Sequence, residues 1–429
     1  MPVYGLAWPE GDVVYMCGGG GNGIKNRMVC AESRKGQLTD QVADHLFGTD
    51  CPMRMALSPN GKSIVFAMSE GIKRLDQDTK GRVPKFFEIQ GDLADKLSSI
   101  KGEVKALAFH PSGSHLAVGC ASGELRVYEW PSLKVKFQLS GDKKLSDAVR
   151  DLDFSPQLPA TASGPALPAG RVLGLTVDDG TCELWDWERG VVLVRLAPGK
   201  LRQRMERAIS MSSDRRTTVQ QLPRGIERVQ LSKLRFARDG TGDLLTLLNS
   251  PVCGASVARW GGAAALGLGA ADAPELPVLA SCRKVCDHPA TCFDASRDGT
   301  LLAFGTSEGG VVVTTSVGCV PVRKVLKGHM VFTTGIVFSA DSRSVVSTSA
   351  DASALVTTVG PAALKQAVRL ENGRKLSVGR VLLVVLLLLA VVAKVLLQAW
   401  REAKRRGVAV DVAEYVLALF GRSLGKDEL

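Results

Sequence analysis

Five glycines fall within the six positions Gly18–Gly23 of the string CGGGGNGIKNRMVC, which runs from Cys17 to Cys30. Gly18, Gly20 and Gly23 satisfy the spacing G-x-G-x-x-G, which in a dinucleotide-binding unit lets a pyrophosphate approach the start of a helix. That chemistry needs a strand, the turn and then a helix. Here Val13–Met16 reads as a strand and Arg27–Glu32 reads as another, so the fingerprint lacks its helix. Gly61-Lys62-Ser63 fails as a phosphate loop for a similar reason, since Ala56 holds the position that requires the upstream glycine. What remains is a turn between two strands, with backbone free to take positive φ. Two readings stand side by side: a simple hairpin turn, or carbonyl oxygens clustered with an Asn side chain as a cage for a hard or alkali cation.

A second group, Cys282, Cys286, His288 and Cys292, has four possible zinc ligands in eleven residues. It lacks a C-x-x-C knuckle and straddles a strand-to-turn passage, so ordinary buried thiols are expected. The ten cysteines are scattered between Cys17 and Cys319, a pattern of reduced thiols. With five histidines, two of them (His110 and His329) at repeat positions, no nucleophile–base triad presents itself. Covalent catalysis is not expected. A net charge of +11 favours acidic partners or an anionic membrane surface. Nucleic acid would rest on charge alone, with no binding module, and is not expected as a partner.

The elements that must hold the glycine turn form a repeat. Its clearest unit runs from Val104 to Trp130: VKALAFHPSG, then SHLAVG, then GELRVYEW. This is strand, turn, strand, turn, strand, with apolar residues in alternation. Echoes begin at Met53, Val149, Leu234, Thr291 and Gly335, and an N-terminal unit begins at Tyr4. The units resemble WD40 repeats, with Trp185-Asp186 and Gly328-His329 matching that family's marker dipeptides. The expectation is an all-β, WD40-like propeller over residues 1–362, with seven blades. Two stretches do not fit blades: the Pro/Ala/Ser loop 156–170 and the basic insertion 198–230.

Beyond a juxtamembrane linker, 363–380, residues 381–400 read VLLVVLLLLAVVAKVLLQAW. Twenty helical residues span about 30 Å, the thickness of a hydrocarbon core. Lys394 is the one charge, Trp400 suits an interface, and Arg401, Lys404, Arg405 and Arg406 suit the head groups. The first residues lack a signal peptide's charged and apolar regions, so the propeller is expected in the cytosol. The tail 401–429 ends in Lys426, Asp427, Glu428 and Leu429, the lumenal retention signal read by the KDEL receptor. Together these predict a single-pass protein of the endoplasmic reticulum membrane with a lumenal C-terminus.

The string GGGGNGIKNRM after the first strand, joined to the propeller, the span and the tail, resembles the ER-anchored exchange factors for Sar-family GTPases, the prolactin regulatory element-binding protein family. The resemblance implies guanine-nucleotide exchange on a Sar-family small GTPase, which starts COPII vesicle formation for ER-to-Golgi transport. It also implies a potassium ion held by the glycine loop. Gly18, Gly19, Gly20, Gly21, Gly23 and Asn26 would be the counterparts of the ion-binding residues, and Ile24 and Asn26 those that face the GTPase. The rival is an ER-tethered WD40 scaffold without exchange activity.

Overall fold

The computed structural model describes residues 1–21, 23–78, 84–160, 166–199, 201, 203, 229–261 and 279–371, together with 386, 394, 401 and 405. Seven antiparallel sheets follow one another along the chain, at residues 3–48, 54–88, 104–139, 149–196, 230–286, 290–325 and 333–358. Each is made of consecutive strands. Six have four strands, and the last has three among the described residues. The first strands of the sheets neighbour one another around an axis, so the sheets are the blades of a seven-bladed propeller.

The sequence pattern explains the blades. Middle strands such as Ser63–Ala67, Val172–Val177 and Leu301–Thr306 are buried along their whole length and read as continuous runs of apolar and small residues. Both of their faces pack on neighbouring blades. Seven apolar clusters result, each shared by two adjacent blades. Trp260, Phe236 and Leu184 join the fourth and fifth, and Phe293, Phe304 and Leu247 join the fifth and sixth. The seventh cluster joins the last blade to the first, where Val346 packs with Val14, Met16 and Val29. Thr334 also donates its hydroxyl to the Val3 carbonyl. Among the described residues the first and last sheets share no strand, and side-chain packing joins them at this seam.

Within the stretch 156–170, residues 156–160 and 166–170 are described. Leu158 and Leu167 exchange backbone hydrogen bonds at 3.0 Å each, and Leu158 is fully buried between the fourth and fifth blades. The insertion 198–230 lies largely outside the described residues, although Leu201 is buried against the same cluster. Residues 361–371 are helical, and the compact propeller unit extends to Ala367. The span 381–400 and the tail with Lys426–Leu429 lie outside the described residues, apart from the single helical positions Leu386, Lys394, Arg401 and Arg405. Among the described residues no helix is long and apolar enough to cross a membrane.

Candidate functional site

The glycine loop belongs to the first blade, whose strands are β1 (Val3–Ala7), β2 (Val13–Gly18), β3 (Asn26–Arg34) and β4 (Gln37–Gly48). Gly18 pairs with Val3 of β1 on one side and with Arg27 of β3 on the other. The loop therefore rises from the middle of a sheet. At its tip the Ile24 N–H donates to the Gly21 carbonyl at 2.9 Å, closing a tight turn. Gly21 and Gly23 have φ of +66° and +84°, which costs a residue with a Cβ about 1–2 kcal/mol. Gly18 and Gly19 answer a different need. A Cβ on Gly18 would strike the Pro2 carbonyl, and one on Gly19 would strike the Asn26 carboxamide. Gly20 is the least constrained, because a Cβ there meets only the movable Ile24 Cδ1, at 3.3 Å, and the Pro2 ring, at 3.5 Å.

The two residues expected to face a GTPase are placed differently. Ile24 is 43% exposed. Asn26 is 7% exposed, lies beneath Gly19, and donates from Nδ2 to the Gly48 carbonyl at 3.1 Å. It braces the loop against the end of β4 while Ile24 stands on the outside. The Asn26 Oδ1 is buried and has no hydrogen-bond partner. An acceptor left so costs about 1–3 kcal/mol. A neutral oxygen of this kind beside glycine backbone fits an alkali cation, and in this respect the residues suit potassium. The Gly21 carbonyl is already engaged by Ile24.

The thiols beneath the loop are not nucleophiles. Burial pushes the Cys17 thiol far above its ordinary range, and it donates to the Pro52 carbonyl at 3.6 Å. Burial, and next the Asp44 carboxylate, push Cys30 up to about 12. At the rim, Arg27 reaches Asp44 at 3.8 Å and Gln41 at 3.4 Å.

The other groups singled out by sequence have structural work. Cys282 and Cys286 lie on the outer strand of the fifth blade, whereas Cys292 lies on the first strand of the sixth. Cys286 donates to the His288 carbonyl at 3.3 Å, and burial raises all three thiols, Cys286 to about 11 and the other two to about 12. The four residues are not gathered for a metal. The Asp186 carboxylate accepts from Arg171 at 3.0 Å and from the Arg189 N–H at 3.2 Å. His329 sits between the Ser353 and Ser347 hydroxyls, at 2.5 and 2.8 Å, and burial lowers its pKa. Both marker dipeptides thus tie strands together within a blade.

One surface was not anticipated from sequence. The connection from the sixth to the seventh blade exposes Leu326, Met330 and Phe332, with Met330 92% exposed. It enters the seventh blade beside Thr334, which touches Val3 and hence the root of the glycine loop. The string LKGHMVF was a signal for it, since Leu326, Met330 and Phe332 are large apolar residues in a connection between blades.

The fold and these networks define a WD40-type propeller, and the family model for the WD domain, G-beta repeat, matches residues 94–129. The chain is 26% identical over 355 residues to SEC12-like protein 2 of Arabidopsis thaliana, covering 82% of this chain and 76% of that one. It is 30% identical over 153 residues to SEC12-like protein 1 of the same plant, covering 34% of this chain and 32% of the relative. A further stretch of 113 residues is 34% identical to telomerase protein component 1 of Rattus norvegicus, but covers 4% of that protein. The chain is a seven-bladed β-propeller that is similar to SEC12-like proteins.

Proposed function

We propose that this protein is a guanine-nucleotide exchange factor for a Sar-type small GTPase, and that it acts at the endoplasmic reticulum membrane to start COPII coat assembly. The observation that carries the reading is the glycine loop: a short, braced turn that holds an apolar side chain, Ile24, out in solvent. Similarity to a SEC12-like protein over most of the chain supports it.

No covalent bond changes in exchange. The propeller binds the nucleotide-free GTPase more tightly than the GDP-bound form, and that difference in affinity releases GDP. Ile24 makes the contact, and the Gly21–Ile24 turn keeps it from folding back. Asn26 positions the loop from below. Gly18, Gly19, Gly20, Gly21, Gly23 and Asn26, whose Oδ1 is unpartnered, would hold a potassium ion, which would supply a positive charge within the loop. The apolar run 381–400 anchors the propeller, Lys426–Leu429 address it through the KDEL receptor, and confinement to one membrane raises its concentration near the GTPase.

The test is release of a fluorescent GDP analogue from purified Sar GTPase, with and without the full chain in liposomes. Acceleration by the native chain that falls with Ile24→Ala supports the reading. No acceleration leaves the rival, a tethered scaffold.

A further inference from the structure

At the end of the ring that carries the glycine loop, the axis opens into a cavity of about 660 Å³. Its position follows from the strands. Gly18 pairs with Val3 at the start of β1, and the cavity is lined by the first residues of other innermost strands, Arg54, Val149, Gln230 and Ala290. Four cationic side chains converge there from four successive blades: Arg54, Lys105, Arg150 and Lys233. Asp178 is the one carboxylate in the lining, and Arg150 already holds it at 2.6 Å.

Of the remaining three charges, Lys105 is paired, whereas Lys233 and Arg54 are incompletely neutralised. Lys105 reaches Glu103 at 2.5 Å. Lys233 stands 3.7 Å from Asp151, but Arg235 holds that carboxylate more closely, at 2.8 Å. Arg54 donates to the carbonyls of Met53, at 2.8 Å, and Tyr4, at 3.4 Å, and among the described residues meets no carboxylate. Burial, opposed by Asp151 and helped by Arg54 and Arg235, lowers the pKa of Lys233, as expected where cations crowd. Like charges held together in a concave site raise the local potential for an anion.

We propose that this mouth binds a small, multiply charged phosphate compound, either a soluble polyphosphate or the phosphorylated head group of a lipid. The volume is that of an ordinary small-molecule site. Guanidinium and ammonium groups pointing in from several blades suit an anion that carries charge on several sides, whereas a single carboxylate would engage only one of them. Asn249 and Ser232 in the lining are neutral, and the Asn249 Nδ2 donates to the Ser232 hydroxyl at 3.1 Å and to the Ala290 carbonyl at 2.7 Å. The site does not depend on exchange activity.

The test is calorimetric titration of the full chain in detergent with inositol hexakisphosphate. The expected result is saturable one-to-one binding, weakened about tenfold by Lys105→Gln and again by Lys233→Gln, and unchanged by Lys96→Gln on the surface helix Asp92–Ser98. Melting curves of each variant separate lost binding from lost fold. Retention on vesicles containing a phosphatidylinositol phosphate, competed by the soluble compound, assigns the lipid source; binding in solution without retention assigns the soluble one. Absence of binding in both arms, equal loss with Lys96→Gln, or equal competition by a polyglutamate peptide would overturn the proposal.

Discussion

The side chain of Asn26 fills the space that a Cβ on Gly19 would need. One residue is the second of the loop's glycines, the other opens β3, and their contact makes the loop a braced element.

This contact separates the glycines by role. Gly19→Ala must displace a buried carboxamide, and overpacking of this kind costs about 1–3 kcal/mol. Gly20→Ala need only move the end of Ile24. Melting curves should show a clear drop for the first and almost none for the second, while nucleotide release suffers in the first.

Ile24 and Asn26 should fail in different ways. Ile24→Ala removes an exposed side chain, so stability holds while exchange falls about tenfold, as for a residue at the heart of an interface. Asn26→Ala removes the bond to Gly48 and leaves a gap beneath the loop, so stability and exchange should fall together. Measuring the melting temperature and the release rate on the same samples distinguishes them.

The unpartnered Oδ1 of Asn26 gives a test for the ion. Replacing potassium by choline should lower the melting temperature of the native chain. Asn26→Ala should remove that dependence. A native chain indifferent to the change would leave the loop without a cation role.

Acid should weaken the propeller before its carboxylates titrate. His45, His110, His115 and His329 all have pKa values lowered, in each case first by burial. Below the ordinary histidine value, about 6.5, the unfolded chain takes up protons that the folded one refuses, so stability falls as pH drops from 7 toward 5. The depressed carboxyls of Asp151, Asp298 and Asp351 lose their contribution only at lower pH. Denaturant melts at about pH 7.5, 6 and 5 should show the decline, and His329→Asn should flatten part of it.

Side-chain packing and the hydrogen bond from Thr334 to the Val3 carbonyl join the last blade to the first, so the seam should be sensitive. Val346→Ala removes buried methyls from the cluster with Val14 and Met16 and should cost about 2 kcal/mol. Hydrogen exchange should quicken at 3–18 and 333–349 before it does elsewhere. Uniform quickening around the ring would argue against a weak seam.

The blades were legible because their middle strands are buried on both faces, which forces runs such as SIVFA and LLAFGT between turn residues. Their outer strands were not. Lys85–Glu88 and Pro321–Val325 are largely exposed, and an edge strand facing water needs no apolar pattern. The units therefore read as three strands where six of the blades have four. Within 156–170 the Pro and Ala content gives no sign of the two residues, Leu158 and Leu167, that pack on the core.

By itself the sequence determined that the chain is a repeat of short strands with a glycine turn in the first unit, because alternation, turn chemistry and spacing are local properties. It also excluded the nucleotide fingerprint, since a helix is absent where the motif requires one. Only the tertiary structure decided that Asn26 faces inward while Ile24 faces out. Both follow the same glycines in KNR and GIK, and their directions depend on β4 and Gly48, more than twenty residues away. It alone brought Arg54, Lys105, Arg150 and Lys233 to one mouth, because closure of a ring sets side by side residues that chain order keeps a blade apart.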